Sequence, residues 1–145
     1  MTPDERANAA AAALRVEDRV AHDLAMTLVE VGAGCATLAM TVTEQMTNGH
    51  GIVHGGYIFT LADSAFAYAC NSYGETTVAA QCSITFLRPA RAGDRLVANA
   101  REIGRAGRSG IYDVSVAVDD GVVAEFRGHS RTVGGSFLPA AEPAP

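Results

Sequence analysis

The chain contains no lysine: all eleven of its basic residues are arginine. That excludes Schiff-base chemistry and a Walker-type phosphate lysine. Cysteine is scarce as well. Cys35, Cys70 and Cys82 form no CxxC pair and leave an odd thiol, so neither a disulfide framework nor a cysteine zinc site is indicated, and all three read as core fillers. No apolar run approaches the roughly 18 residues that cross a bilayer, which argues against a membrane protein. The first residues, Met1-Thr-Pro-Asp-Glu-Arg, are acidic where a secretory signal is basic, so the expected location is cytoplasmic. A net charge of −5 without a basic stripe argues against nucleic acid as a partner. Ser64 and Ser83 lack the GxSxG setting of a serine hydrolase.

What is present describes one globular domain: 145 residues, 48% apolar and 19% charged. Its charge is unevenly spread. Arg88, Arg91, Arg95, Arg101, Arg105 and Arg108, against Asp94 and Glu102, give the segment 88–108 a charge of +4 and leave −9 for the remainder. Such a basic zone in an acidic protein suits an anionic ligand. The competing reading is a solvated strand face with paired charges.

Along the chain, Thr2-Pro3-Asp4-Glu5 has the form of a capping box and predicts a helix through about Leu14, within an N-terminal segment 1–20. Residues 21–133 form the main domain. Met26 to Val31 and Cys35 to Val42 alternate around Gly32-Ala33-Gly34 and read as a hairpin. Tyr57 to Asn71 is an almost wholly apolar helical stretch, followed by strands at Val78–Leu87, Leu96–Ile103, Ile111–Val118 and Val122–Thr132. A tight turn falls at Asp119-Asp120-Gly121, and the Gly- and Pro-rich tail 134–145 reads as frayed. A helix apolar nearly all round must be enclosed. An antiparallel sheet of five to six strands curled around that one helix satisfies the pattern, an α+β fold.

Asp63 stands in the middle of that helix. A carboxylate there is desolvated at a cost, and chains keep such groups for chemistry or for a specific partner. The helix opens directly after Asn48-Gly-His-Gly-Ile-Val-His54-Gly55-Gly56, and free N–H groups at a helix start favour negative charge. Together they suggest an acid and an oxyanion donor.

These motifs, with Leu61-Ala-Asp-Ser-Ala-Phe-Ala-Tyr-Ala-Cys-Asn71, Phe86-Leu-Arg-Pro-Ala90 with Gly93-Asp94, Tyr112-Asp-Val114 and Phe126-Arg-Gly128, resemble those of the hotdog-fold acyl-CoA thioesterases. The likeness is strongest to the branch of phenylacetyl-CoA thioesterases of phenylacetate catabolism, the PaaI type, and it covers about residues 22 to 135 in motif order. A lone His-Gly-Gly is weak. With Asp63 eight residues after Gly55, Asn48 seven before it, and the Phe-Leu-Arg-Pro strand downstream, the pattern is specific.

The resemblance implies that Asp63 attacks the thioester carbon or activates a water, and that the Gly55 N–H binds the carbonyl oxygen. It implies that Asn48 positions the carbonyl or the water, and that His54 either contacts substrate or braces the glycine loop. Asp63 as a structural acid satisfied by Thr60 or a neighbouring subunit is the competing reading. His50, His54 and Asp63 can be drawn as a metal triad, but one chain would have to bend its helix to close it. No metal or cofactor is therefore expected, coenzyme A being part of the substrate. The acyl group would lie against Gly56, Tyr57, Phe59, Phe66 and Tyr68, the aromatics being equally readable as core. Arg88, Arg91, Arg105 or Arg108 would meet the coenzyme A phosphates. One departure stands out: a hydroxyl residue often found early in the strand after the helix is replaced by Ala79-Ala80, with Thr77 and Ser83 as the nearest substitutes.

Geometry adds a constraint. Eight residues of helix separate Gly55 from Asp63 by about 12 Å, too far to grip one carbonyl carbon. Two chains packed edge to edge with antiparallel helices would bring one helix start to the middle of the other, and the resemblance implies such a homodimer with two shared sites, within a homotetramer. A non-hydrolytic acyl-CoA binding module or ligand sensor on the same fold is the alternative function. A hotdog dehydratase would use a histidine and acid in a different spacing.

Overall fold

The computed structural model describes residues 1–119 and 121–138. Helix α1 (Pro3–Arg15) starts as a capped helix should: Glu5 N–H donates to Thr2 Oγ1 at 3.1 Å, with Pro3 in the first turn. A second short helix, α2 (Arg19–Asp23), is capped by Asp18, whose Oδ1 accepts from Ala21 N–H and whose Oδ2 accepts from the Tyr68 hydroxyl at 2.9 Å. That one carboxylate ties the N-terminal segment to the central helix.

The hairpin β1 (Thr27–Gly32) and β2 (Cys35–Thr41) turns through Gly34, held at φ +74°. The central helix α3 (Gly55–Cys70) begins two residues before the expected Tyr57, because His54 caps it. Asn71 ends α3 and clasps the next strand: its Oδ1 accepts from Thr77 N–H and its Nδ2 donates to Thr77 O, both at 3.0 Å. Strands β3 (Glu75–Phe86), β4 (Arg95–Ala106), β5 (Ser109–Val118) and β6 (Gly121–Ser136) follow.

All six strands form one antiparallel sheet in the order β1-β2-β4-β5-β6-β3, and α3 lies across it. Leu61, Ala62, Ala65, Phe66 and Ala69 of α3 bury against Leu38, Met40, Leu96, Ala98, Tyr112, Val114 and Phe126 of the sheet. Phe66 packs edge-on to Tyr112 with ring centroids 5.6 Å apart. Gly128 makes room for it, since a Cβ there would stand 2.8 Å from the Phe66 ring. Substituting that glycine would overpack the core.

Several expectations are corrected. The segment from Gly134 does not fray at once: β6 runs to Ser136, which pairs with Glu75, and Leu138 packs over Gly74. The rest of the tail, 139–145, and Asp120 of the tight turn lie outside the described residues. Cys70 is buried and Cys82 partly buried, as core fillers should be, but Cys35 is exposed.

Two sheet edges result. β1 is short and irregular between Leu28 and Glu30. The other edge, β3, is twelve residues long and largely open to solvent, with Val78 46% and Phe86 50% exposed. A long open edge is a template for pairing with another strand.

Candidate active site

Loop 47–54 is built to present the start of α3. Asn48 N–H donates to Ile52 O, Gly51 N–H returns to Asn48 O, and His50 N–H donates to Asn48 Oδ1 at 2.9 Å. Val53 N–H and His54 N–H tie the loop to Ala90 O and Met46 O. The Asn48 side-chain oxygen is thus used within the loop, and its amide NH2 is the half left to face a substrate.

The first turn of any α-helix has N–H groups without helical partners. Here two are occupied. Gly56 N–H donates to His54 Nδ1 at 2.9 Å, and Tyr57 N–H donates to His54 O at 3.0 Å. Gly55 N–H has no partner among the described residues. Gly55 lines an apolar hollow of about 500 Å³ together with Asn48, Ile52, Val53, Ile58, Phe86, Leu87, Arg88 and Pro89. His54 therefore braces the helix start. With its Nδ1 accepting, a neutral ring carries its proton on Nε2 and can donate outward from there. Gly56, expected to contact substrate, has its N–H engaged by that cap.

Asp63 is half-buried rather than enclosed, and burial holds its carboxyl above the ordinary value of 3.8. Among the described residues, no hydrogen bond or counter-charge acts on it. Thr60, the structural partner considered for it, donates instead to Gly56 O at 2.8 Å. Asp63 belongs to a stripe of α3, Thr60, Asp63, Ser64 and Ala67, that is left half-open while the opposite face is fully buried. Asp63 does not line the hollow at Gly55.

The aromatic expectations divide. Phe66 and Tyr68 are 1% and 2% exposed, so both pack as core in this chain. Phe59 packs edge-on to Phe126 at 5.5 Å, and Tyr57 is half-buried near the helix start. The arginines divide as well. Arg88 lines the Gly55 hollow. Arg105 pairs with Glu102 at 2.9 Å and stacks over Tyr73 at 3.6 Å, while Glu102 also accepts from the hydroxyls of Tyr73 and Tyr112. Arg105 and Arg108 border a small polar cavity with Cys70 and Tyr73, at the opposite end of α3 from Gly55. In one chain the length of the helix, about 24 Å, keeps them from the oxyanion donor. His50 is exposed and contributes only its backbone to the loop. His50, His54 and Asp63 form no ligating cluster among the described residues.

Neither substitute for the absent hydroxyl faces Asp63. Thr77 Oγ1 bonds Glu75 O and Thr132, and Ser83 lies on the outer sheet face with Asp113, Glu125 and Arg127. Sequence reasoning missed Phe86, whose ring lies directly against Gly55. Its signal was the aromatic at the head of Phe-Leu-Arg-Pro.

A central helix across a six-stranded antiparallel sheet, with a free N–H at its start and an unpaired carboxylate at its middle, defines a class. Residues 50–125 match the thioesterase superfamily, and the chain belongs to that family. It is a thioester hydrolase of the hotdog fold. Among its relatives, acyl-coenzyme A thioesterase PaaI of Escherichia coli is 45% identical over 126 residues, covering 86% of this chain and 90% of that protein. The solved structure of E. coli PaaI, from the phenylacetic acid degradation operon, superimposes with a TM-score of 0.91 over 93% of this chain and 99% of that one, at 43% identity. A Streptococcus mutans protein solved bound to acetyl-CoA superimposes with a TM-score of 0.74 at 28% identity, over 77% of this chain and 90% of that one.

Proposed function

We propose that the chain hydrolyses acyl-CoA thioesters, phenylacetyl-CoA or a ring-hydroxylated arylacetyl-CoA in aromatic catabolism, to the free acid and coenzyme A. The observation that carries this is the unpartnered, half-buried carboxylate of Asp63 on the same helix whose first N–H, at Gly55, is left free beside an apolar hollow. A sensor needs no such carboxylate; a hydrolase does. The operon of the E. coli relative supports the arylacetyl group.

In this reading the thioester oxygen accepts from Gly55 N–H and the Asn48 amide. Asp63 attacks the carbonyl carbon, or takes a proton from the water that does. The C=O electron pair moves onto oxygen, where the donors stabilise it, and its return expels the coenzyme A thiolate, which takes up a proton that water supplies. When water attacks, the free acid forms at once; when Asp63 attacks, the acyl group is left on it as a mixed anhydride, which water then cleaves to the free acid and the restored carboxylate. Either route uses the ionised carboxylate.

The site is shared in a homodimer. The Cys82 thiol on the open edge β3 is pushed up by burial and then by the charge of Asp63 on the half-open stripe, so the two lie near each other and a second copy with antiparallel helix and edge strand would cover stripe and edge together. Pairing of such dimers gives the homotetramer. The partner's Arg105 and Arg108 would then approach this chain's Gly55 end, in reach of coenzyme A phosphates with Arg88. Cys35, Cys70 and Cys82 are unpaired, which suits a reducing, cytoplasmic setting.

The test is thiol release from a panel of acyl-CoAs by wild type and Asp63→Asn. Loss of at least about two orders of magnitude in kcat with the fold retained is expected for removal of a base or nucleophile. Equal rates would reject the mechanism.

A further inference from the structure

Gly55 is not among the residues with positive φ, so its backbone conformation does not call for glycine. Space does. An ideal Cβ at Gly55 would stand 2.8 Å from Phe86 Cζ, closer than real Cβ contacts come, and 3.2 and 3.3 Å from Cε1 and Cε2, so the ring would have to shift to admit it. The ring of Phe86 occupies the place a side chain would take. It does so from the end of edge strand β3. The same ring forms one wall of the hollow that Gly55 lines.

We infer that Phe86 is a positioning residue for the oxyanion donor, and that glycine is required at 55 to admit this ring rather than to admit the substrate. The inference rests on the reading of Gly55 as the donor. A single N–H stabilises a developing oxyanion well only where water is kept away, since competing solvent weakens the interaction and must reorganise during reaction. Phe86 is the wall residue whose ring lies directly against Gly55. With Ile58 and Ile52 it screens one side of the donor and narrows the positions a carbonyl can take against it.

The two explanations for the glycine make opposite forecasts in a double-mutant cycle of Gly55→Ala and Phe86→Ala, each folded variant being checked by circular dichroism. The added methyl leaves the N–H in place. If the ring is the reason for glycine, Gly55→Ala costs at least about tenfold in kcat with Phe86 present and less than about twofold without it. Phe86→Ala alone lowers kcat at least about tenfold while KM moves less than about twofold, and Phe86→Leu, still an apolar screen, recovers most of the loss. Rates are taken per coenzyme A-binding site counted by calorimetry, so that a misfolded fraction does not imitate the effect. If Phe86→Ala fails to fold, the cycle is run on Phe86→Leu, where the coupling is smaller but of the same sign. An equal cost of Gly55→Ala in both backgrounds overturns the inference, as does a rise in KM at unchanged kcat. Absence of hydrolysis by the wild type on every acyl-CoA overturns the thioesterase reading and this inference with it.

Discussion

If the acid and the oxyanion donor of each site come from different chains, as proposed, mixing two inactive variants should restore activity. A thioester held at Gly55 places its oxygen about 2.9 Å from the nitrogen, its carbon about 1.2 Å further, and an attacking oxygen about 3.5 Å beyond. That span is about 7–8 Å, whereas eight residues of unbroken α3 advance about 12 Å and turn Asp63 about 80° away from Gly55. The short aspartate side chain, tilted toward the helix start, recovers only part of the difference. The perturbations are Asp63→Asn, which removes the acid, and Gly55→Pro, which removes the N–H. Proline is favoured at the first helical position, and His54 already has the extended ψ of 132° that a residue before proline requires. Its ring also displaces Phe86, a second defect in the same chain. Each pure variant should fall below about 1% of wild-type activity. After unfolding and refolding an equimolar mixture, half the dimers are mixed, and each mixed dimer has one intact site of two. Thiol release should therefore reach roughly a quarter of the wild-type rate, with mixed dimers confirmed by native mass spectrometry. A mixture no more active than its components, with mixed dimers present, would refute the shared site.

Two further outcomes follow from the charges. Burial raises the Asp63 carboxyl, so its folded value lies above the unfolded one, the folded state holds the proton more tightly, and stability falls as pH rises through that raised value. Asp63→Asn should accordingly raise Tm at pH 7, with the gain vanishing well below pH 3.8, while wild-type kcat/KM falls as acid protonates the same group above the usual carboxylate range. Glu102→Ala should leave the hydroxyl of Tyr112, a residue 1% exposed, without its acceptor, and lower unfolding free energy by about 1–3 kcal/mol in urea titrations. An unchanged midpoint would show that another group or water replaces the carboxylate.

Much of the architecture is legible in residue order. The alternating strands and the nearly uniform apolarity of 57–71 each depend on local periodicity, and local periodicity reports which faces are buried. Asp63, Gly55, Asn48 and His54 were likewise visible, as polar or glycine exceptions in apolar or helix-initiating settings. The cap by His54 was open to two readings, because a histidine before a helix can donate outward or accept from the backbone. The hydrogen bond from Gly56 N–H to its Nδ1 shows the bracing contact and leaves Nε2 able to donate outward.

By itself the sequence determined the capped first helix, the six strands, the enclosed helix and the offset that separates donor from acid along it, but not the short helix α2. Only tertiary structure decided who meets whom. Phe66 and Tyr57 look alike in a helical pattern, yet Phe66 turns into the sheet and Tyr57 stays at the helix start. Arg88 and Arg105 sit in one basic stretch, yet one lines the hollow and the other stacks on Tyr73 beside Glu102. β3 follows α3 in the chain but crosses to the far edge of the sheet, beyond β6, and there its last residue comes to rest on Gly55. Such pairings are set by strand order and packing between residues far apart in the chain, and no repeat along the sequence encodes them.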